Sequence, residues 1–208
     1  MIDQQEIIRK LSRFGKEAIS IILESSQFVD VPKGTEILRE GQYIKSVPLV
    51  ISGLVKVFTR QDDKELLLYY IQPLESCVMS FSAGLKNEKS KVFAITEENS
   101  SILLIPSQKI SHWINEYPTL NELFYSQYNL RYLDLLQTIN HLLFDKLDKR
   151  LLSYLKEKVS LTGKNPLTIS HREIANELGT AREVISRIVK KLEKENTVRQ
   201  LKDSIQIL

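Results

Sequence analysis

The spacing of apolar residues changes twice along this 208-residue chain, and these changes limit the folds that it can form. Residues 3–24 place apolar residues three and four apart, with a break at Gly15, which predicts one or two short amphipathic helices. Between Val29 and Pro106 the apolar residues fall instead in short runs separated by turn signals. The even spacing of these runs predicts a small antiparallel barrel or roll, with strands at 47–51, 54–59, 65–71, 91–96 and 101–105.

Helical spacing returns after Pro118 and continues for about 25 residues without Gly or Pro, which predicts a long helix. Its apolar stripe is wider than packing on one small domain requires, so we predict a homodimer through the same helix of a second chain. The alternative is a helix that lies on the roll of its own chain. A further helix is predicted from Leu147 to about Gly163. The predicted dimer contacts are Phe124, Tyr128, Tyr132, Leu135, Ile139 and Leu142.

Positive charge is concentrated in the last third of the chain. Residues 146–208 contain 14 Lys and Arg against 8 Asp and Glu, a net charge of +6, whereas residues 1–145 have a net charge of −3. A basic segment on a mildly acidic body suits a nucleic-acid-binding module, although a solvated basic face has the same charge. We find no signal peptide and no long apolar run, and the single cysteine suits a reducing compartment, so we expect a cytoplasmic protein without a membrane partner.

The segment from Ile169 to Glu195 predicts two short helices joined by a tight turn. Ser170 and Glu173 form a capping box that begins the first helix, and Gly179 stands where a left-handed residue would end it. Thr180 with Glu183 resembles a second capping box. The predicted core of this helix-turn-helix consists of Ile174, Ala175, Leu178, Ile185, Ile188 and Leu192.

Once those positions point inward, a polar row faces outward on the second helix. Arginine can bond both guanine acceptors, glutamate can accept from cytosine, and serine can contact either base edge, so we predict base contacts by Arg182, Glu183, Ser186 and Arg187. The alternatives are an i, i+4 ion pair on a solvated face, or helices that contact a protein instead of DNA. A two-stranded wing is predicted at 197–200 and 204–207. Phosphate contacts are predicted for Ser170, His171, Arg172, Thr180, Lys190 and Lys191.

Three stretches of the chain resemble the cyclic-AMP receptor protein and fumarate-nitrate regulator (Crp/Fnr) family. They are 34–41, 52–55 and, most specifically, 173–187. The resemblance implies an α+β fold with a cyclic-nucleotide-binding-like jelly roll (1–117) as effector domain, a dimerisation helix and linker (118–145) and a winged helix-turn-helix (146–208). It also implies a bacterial, dimeric transcription regulator that binds double-stranded DNA and RNA polymerase. The sequence shows no nucleophile paired with a base, no metal-ligand cluster and no Gly-rich phosphate loop, so we do not expect an enzyme.

Family members that bind cyclic nucleotides carry a Gly-Glu pair and a later Arg-Ser or Arg-Ala/Thr pair. The corresponding stretches here are 74–84 and 89–91, and they contain neither Gly-Glu nor Arg, which argues against cyclic AMP. One cysteine excludes an iron–sulfur cluster, while haem would need His112 or His141 as axial ligand and a redox switch would use Cys77. The candidate pocket for an unidentified small-molecule or redox effector is formed by Glu75, Cys77, Val78, Met79, Ser80, Lys89, Ser90 and Lys91.

The predicted recognition helix resembles both branches of the family. Glu183, Ser186 and Arg187 reproduce the Glu-x-x-Ser-Arg arrangement of the fumarate-nitrate branch, and Arg182 resembles the arginine of the cyclic-AMP branch. Both branches imply a TGA core. We therefore predict a palindromic operator with TTGA- or GTGA-like half-sites about one helical turn apart.

Overall fold

The computed structural model describes residues 4–12, 15–61, 64–144 and 146–208, and for 4–6, 10, 64 and 140–144 it describes the backbone only. The chain folds into two compact units. The first consists of Met1–Thr59 and Leu68–Leu135, and the second of Arg60–Leu67 and Leu136–Leu208.

Two short helices open the first unit. Helix α1 (Gln4–Leu11) and helix α2 (Lys16–Ser25) are separated at Gly15, as the spacing predicts. Ala18, Ile19, Ile22 and Leu23 lie on the buried face of α2. Because apolar residues three and four apart share one side of a helix, this face packs into the core of the unit.

The roll is formed by antiparallel strands, as predicted. Its strands are β1 (Gln27–Val31), β2 (Glu36–Leu38), β3 (Ser46–Ser52), β4 (Val55–Gln61), β5 (Lys64–Ile71), β6 (Phe93–Thr96) and β7 (Ser100–Pro106). One sheet has the order β1-β7-β3 and the other has the order β2-β6-β4-β5. Strands β1 and β2 were not predicted, because five and three residues leave little alternation to recognise.

Two further helices interrupt or follow the strands. Helix α3 (Val78–Lys86) lies between β5 and β6, and α4 (Ser107–Glu116) follows β7. Helix α4 buries Ile110 and Trp113 in the same core as α2. A second core, with Val50, Val55, Val57, Ile71, Cys77, Ala94 and Ile102, fills the interior of the roll.

Gly53 occupies the turn between β3 and β4 for a steric reason. Its φ is +91°, and a Cβ atom there would lie 2.7 Å from the backbone oxygen of Asn99. Only glycine combines that backbone conformation with so close an approach of the neighbouring chain. The Ser52-Gly53 turn is therefore required by the packing of the roll.

Helix α5 (Thr119–Phe144) confirms the predicted long helix. Leu120 and Leu123 are buried against the roll unit, and the ring of Phe124 stacks on Phe81 with centroids 4.1 Å apart. Phe124, predicted to contact a second chain, is thus half-buried and packs against the core of its own chain. One residue further, Tyr125 is 72% exposed and takes the outward position, because one step along a helix turns the side chain by about 100°.

From residue 146 onward, the second unit consists of three helices and a two-stranded sheet. Helix α6 (Leu147–Thr162) ends where predicted, and its C-cap Gly163 is in the left-handed conformation. Helices α7 (His171–Glu177) and α8 (Arg182–Lys194) follow, and β8 (Val198–Gln200) pairs antiparallel with β9 (Ile205–Ile207) as the predicted wing. In the described part of the chain, no helix is long and apolar enough to span a membrane.

The core of this unit differs from the prediction at three positions. Ile174, Ala175, Ile185 and Leu192 are buried as expected, but Leu178 and Ile188 only pack against the core from its edge. Val189, which sequence analysis left out, is fully buried. Ile188 and Val189 are adjacent and both apolar, so the helical period alone does not decide which of them faces inward.

Candidate nucleic-acid interface

The first helix of the pair begins at the predicted capping box. The Ser170 hydroxyl accepts a hydrogen bond from the backbone N–H of Glu173 at 3.1 Å, and the Glu173 carboxylate accepts from the backbone N–H of Ser170 at 3.5 Å. Gly179, with φ +65°, turns the chain after α7. The two helices of the motif are thereby joined by a tight turn, as predicted.

The second capping box is not formed. The N-cap of α8 is Ala181 rather than Thr180, and no side chain caps the helix. The backbone N–H of Thr180 instead donates to the carbonyl of Ala175, which closes the turn after α7. Thr180 therefore belongs to the turn, and the prediction from its spacing to Glu183 is wrong by one residue.

Helix α8 separates an apolar face from a polar face. Ile185, Val189 and Leu192 are buried on one side. The other side exposes Arg182, Glu183, Arg187 and Lys190, with Ser186 half-buried beside them. Within the described residues no ion pair joins Glu183 to Arg187, so both side chains remain directed outward.

Ser186 is held by two hydrogen-bond partners of its own chain. Its Oγ lies 3.0 Å from the carbonyl oxygen of Arg182 and 2.9 Å from Nδ1 of His171 on α7. Nε2 of His171 is buried without a hydrogen-bond partner in the described structure. Burial, and then the nearby Arg182 charge, lower the pKa of His171. We predicted that His171 contacts a phosphate, but its ring supports the recognition helix instead.

A groove of about 970 Å³ lies beside the recognition helix. The start of α7 and the start of α8 line one side of it, through residues that include Arg172, Thr180 and Arg182. The wing lines the other side, from Gln200 to Ile205, and contributes Lys202. Sequence analysis predicted the wing but did not place Lys202 in the site, although an exposed lysine between two short strands is a signal for a phosphate contact.

Helix α6 supports the motif through two polar contacts. Nη2 of Arg150 donates to the carbonyl oxygen of Leu178 at 3.0 Å, at the end of α7. Nζ of Lys191 lies 2.5 Å from the Asp148 carboxylate, and this hydrogen bond raises the pKa of Lys191 and lowers the pKa of Asp148. The phosphate contact of Lys191 stays a prediction, because its side chain is 54% exposed beside Asp148, and Lys190 is exposed as well.

A buried polar cluster lies beneath the same helices. The Tyr154 hydroxyl donates to the Glu177 carboxylate at 2.8 Å, and Nζ of Lys158 lies 3.5 Å from the other oxygen of Glu177. The side chains of Lys158 and Glu177 are 7% and 1% exposed. This cluster was not predicted, because the i, i+4 spacing of Tyr154 and Lys158 is its only signal in the sequence.

The candidate effector residues are mostly occupied by packing. Cys77 is completely buried, and its Sγ lies 3.6 Å from the Tyr69 hydroxyl. Burial, followed by the neighbouring Cys77, raises the pKa of Tyr69 well above its usual value. The Ser80 hydroxyl donates to the Cys77 carbonyl, Val78 is buried, and Met79 packs against the core of the roll.

The Glu75 carboxylate is bound to helix α5 and is therefore not free to contact an effector. Its Oε2 lies 2.5 Å from Nη2 of the buried Arg131, whose Nη1 donates to the Tyr70 carbonyl at 2.9 Å and to Asp134 at 2.7 Å. Burial raises the pKa of Asp134, the Arg131 charge opposes that rise, and Glu75 adds to it. Arg131 thereby connects α5 to the loop that precedes α3.

The remaining candidate effector and haem residues do not form a common site with Glu75 and Cys77. Nζ of Lys89 lies 5.5 Å from the centre of the Tyr43 ring, Ser90 bonds the backbone of Val92, and Lys91 is exposed. His112 pairs with Glu116 at 3.0 Å on the surface. The side chain of His141, the other haem candidate, lies outside the described residues, and among those described no cluster of His, Cys, Asp and Glu could hold a metal ion.

A series of exposed apolar side chains runs along α5. Its members are spaced three and four apart, which is the spacing of a coiled-coil seam. The side chain of Leu142, which continues the spacing, lies outside the described residues. The exposed members are Tyr125, Tyr128, Tyr132, Leu135 and Ile139.

The fold and this interface define a class of protein, a winged helix-turn-helix DNA-binding regulator joined to a cyclic-nucleotide-binding-like roll. Residues 28–117 match the cyclic nucleotide-binding domain family, and residues 149–208 match the Crp-like helix-turn-helix domain family. No protein among those with curated descriptions matches the chain.

Solved structures agree with both matches. A transcriptional regulator of the Crp/Fnr family from Eubacterium rectale ATCC 33656 is 27% identical, with a TM-score of 0.83 over 92% of this chain and 89% of that chain. The c-di-GMP-responsive global regulator CLP of Xanthomonas campestris shares the fold at 21% identity, with a TM-score of 0.80 over 92% of this chain and 98% of that chain. The chain belongs to the Crp/Fnr family, whose members are transcription regulators rather than enzymes.

Proposed function

We propose that this regulator acts as a homodimer on a palindromic DNA operator. The observation that carries the proposal is the polar face of α8. Arg182, Glu183 and Arg187 are exposed together opposite a buried apolar face, and Arg182 and Glu183 line a groove that the wing also lines. A helix supported in this way can place its polar face in the major groove. The cytoplasmic location and the contact with RNA polymerase stay predictions.

Each exposed side chain has a proposed partner in a TGA half-site. Arg187 contacts the guanine, and Glu183 accepts from the cytosine paired with it. Ser186 contacts the neighbouring T·A pair, where the TGA half-site predicts a contact to the thymine. Arg182 contacts an outer guanine or a phosphate. Arg172, Thr180, Lys190 and the wing lysine Lys202 are the proposed phosphate contacts, which position the protein without selecting a sequence.

Selection from random duplexes tests this assignment. We expect enrichment of TTGA- or GTGA-like half-sites related by two-fold symmetry. Arg187→Ala should weaken specific binding by about 1–3 kcal/mol and relax the preference at one base pair. Lys190→Ala, the matched control on the same helix, should weaken all sequences alike and reduce the salt dependence. An asymmetric motif, or an Arg187→Ala protein with unaltered base preference, contradicts the proposal.

The proposed dimer forms through the exposed seam of α5. Members of this family act as dimers, and a coiled-coil spacing of Tyr125, Tyr132 and Ile139 gives a second copy of the helix a continuous apolar surface to cover. We expect Leu135→Glu with Ile139→Glu to produce monomers with weaker operator binding in sedimentation and binding assays. Leu133→Glu adds the same charge to an exposed position off the seam and should leave the dimer intact.

We also propose that cyclic AMP is not the effector. Glu75 is engaged by Arg131, and Lys89 packs on Tyr43, so neither is directed to a shared ligand. Because the phosphate of a cyclic nucleotide needs a guanidinium or several backbone donors, this arrangement binds it weakly. Calorimetry should detect no binding at micromolar cyclic AMP, and micromolar affinity would contradict the proposal.

A further inference from the structure

The contacts of Ser186 determine where its hydroxyl proton lies. The carbonyl oxygen of Arg182, 3.0 Å from Oγ, can only accept a hydrogen bond, so that bond uses the hydroxyl proton. The contact of 2.9 Å to His171 is then a hydrogen bond only if Nδ1 carries a proton and donates it to Oγ. The two contacts together require the Nδ1–H form of His171.

This arrangement leaves Ser186 with one lone pair and no proton for a partner outside the chain. A hydroxyl has one donor and two acceptor sites, and the chain uses the donor and one acceptor. Nε2 of His171 is buried with no partner, which disfavours a second proton on the ring, and the lowered pKa of His171 agrees with the neutral form.

We infer that His171 is a positioning residue that makes Ser186 a hydrogen-bond acceptor toward DNA, so that Ser186 selects a base with an amino group in the major groove. Adenine N6 and cytosine N4 are such donors, whereas thymine O4 and the guanine acceptors are not. At the T·A pair of a TGA half-site, Ser186 therefore accepts from the adenine and makes no hydrogen bond to thymine O4, which replaces the contact to thymine that the half-site alone predicts. This inference rests on the proposed DNA-binding function and specifies the base that Ser186 reads.

The protonation state can be measured without DNA. A long-range ¹H–¹⁵N correlation spectrum of the full-length protein distinguishes the two neutral tautomers of histidine. We expect the His171 signals of a protonated Nδ1 and an unprotonated Nε2 at neutral pH. A ring protonated at Nε2 alone would overturn the inference, whatever the protein does with DNA.

The second test changes single groups in the operator. Selection with the wild-type protein and with Ser186→Ala identifies the base pair that Ser186 reads. At that pair, purine in place of adenine removes the N6 amino group, and 4-thiothymine in place of thymine replaces O4 by sulfur, a weak hydrogen-bond acceptor, and keeps N3–H. Each change acts on one side of the same N6–H···O4 Watson–Crick hydrogen bond and leaves the other one in place, so the two duplexes are matched controls for each other.

We expect loss of the amino group to weaken binding by the wild type about two- to tenfold more than replacement of O4, the range for one neutral hydrogen bond. Ser186→Ala should respond equally to both duplexes. His171→Ala should reduce the discrimination, because Nδ1–H then no longer holds Oγ where its proton bonds the Arg182 carbonyl, and His171→Asn should restore it, because its amide N–H can replace Nδ1–H.

Three results would overturn the inference: a larger loss on replacing O4, a base preference unchanged by Ser186→Ala, or an effect of His171→Ala that persists undiminished in the absence of Ser186. Each of these leaves the Arg187 result intact. Failure of the proposed function looks different, because no TGA symmetry is then selected and Arg187→Ala changes no base preference.

Discussion

Replacing Glu177 by alanine should destabilise the DNA-binding unit by about 3–5 kcal/mol, the usual cost of removing one partner from a buried ion pair. The Glu177 side chain is 1% exposed and the Lys158 side chain 7%, so the lysine left behind has little access to water. The Tyr154 hydroxyl also loses its acceptor at 2.8 Å. One substitution thus removes the acidic partner of a buried lysine and the acceptor of a buried hydroxyl, while the hydrogen bond of 3.1 Å from Lys158 Nζ to the Tyr154 hydroxyl oxygen remains.

Asp148→Ala is the matched control. It also removes an acidic partner of a lysine in this unit, and the Asp148–Lys191 pair is shorter, at 2.5 Å. That pair is exposed to solvent, however, where water and salt screen the attraction and rehydrate the remaining lysine. If burial rather than distance decides the cost, Asp148→Ala should destabilise the unit much less than Glu177→Ala.

Hydrogen exchange in the full-length protein measures the difference. The slowest amides of α7 and α8, including those of Ile185 and Val189, report the opening of the DNA-binding unit. Fluorescence of Trp113, the single tryptophan, reports the roll and should change little in either variant. Joint replacement of Lys158 by Met and Glu177 by Leu should recover most of the lost stability. Equal losses for Glu177→Ala and Asp148→Ala would refute the reasoning.

Three other predictions follow from the packing. Gly53→Ala should lower the melting temperature of the roll, followed by tryptophan fluorescence, far more than Gly34→Ala, because both have positive φ but only Gly53 meets a backbone oxygen at 2.7 Å. Ile185→Ala should destabilise the second unit by about 2–5 kcal/mol in hydrogen exchange, and Ile188→Ala by less, since Ile188 lies at the core's edge. Because the pKa of Asp134 is raised, the folded protein binds the Asp134 proton more tightly than the unfolded chain does. The contribution of Asp134 to the free energy of unfolding is therefore lost as pH rises through the folded-state pKa. Denaturant titrations at several pH values should show that Asp134→Asn abolishes this loss.

The order of the domains could be read from the sequence because the hydrophobic period is a local property. Alternation and helical spacing are set by residues two to four apart, so the roll, the long helix α5 and the pair α7 and α8 were all predicted. The capping box at Ser170 was predicted for the same reason. Where a signal was short, as in β2, or shared by two neighbouring residues, as in Ile188 and Val189, the local pattern did not suffice.

The same distinction between local spacing and packing holds for the candidate site. That Arg182, Glu183 and Arg187 share the outward face of α8 follows from the period of a helix and from the apolar residues between them, so the sequence alone determined it. The pairing of His171 with Ser186, fifteen positions apart, depends on how α7 crosses α8. Nothing in the spacing of these residues encodes that crossing.

The same reason explains why Arg131 binds Glu75, why Phe124 turns inward and Tyr125 outward, and why Lys191 pairs with Asp148. Each of these contacts joins elements that are distant in sequence, and a helical period leaves the facing direction uncertain by about one residue. Local sequence determines which residues share a face. Packing between elements determines what that face meets, because partners, distances and burial exist only once the elements are placed against one another.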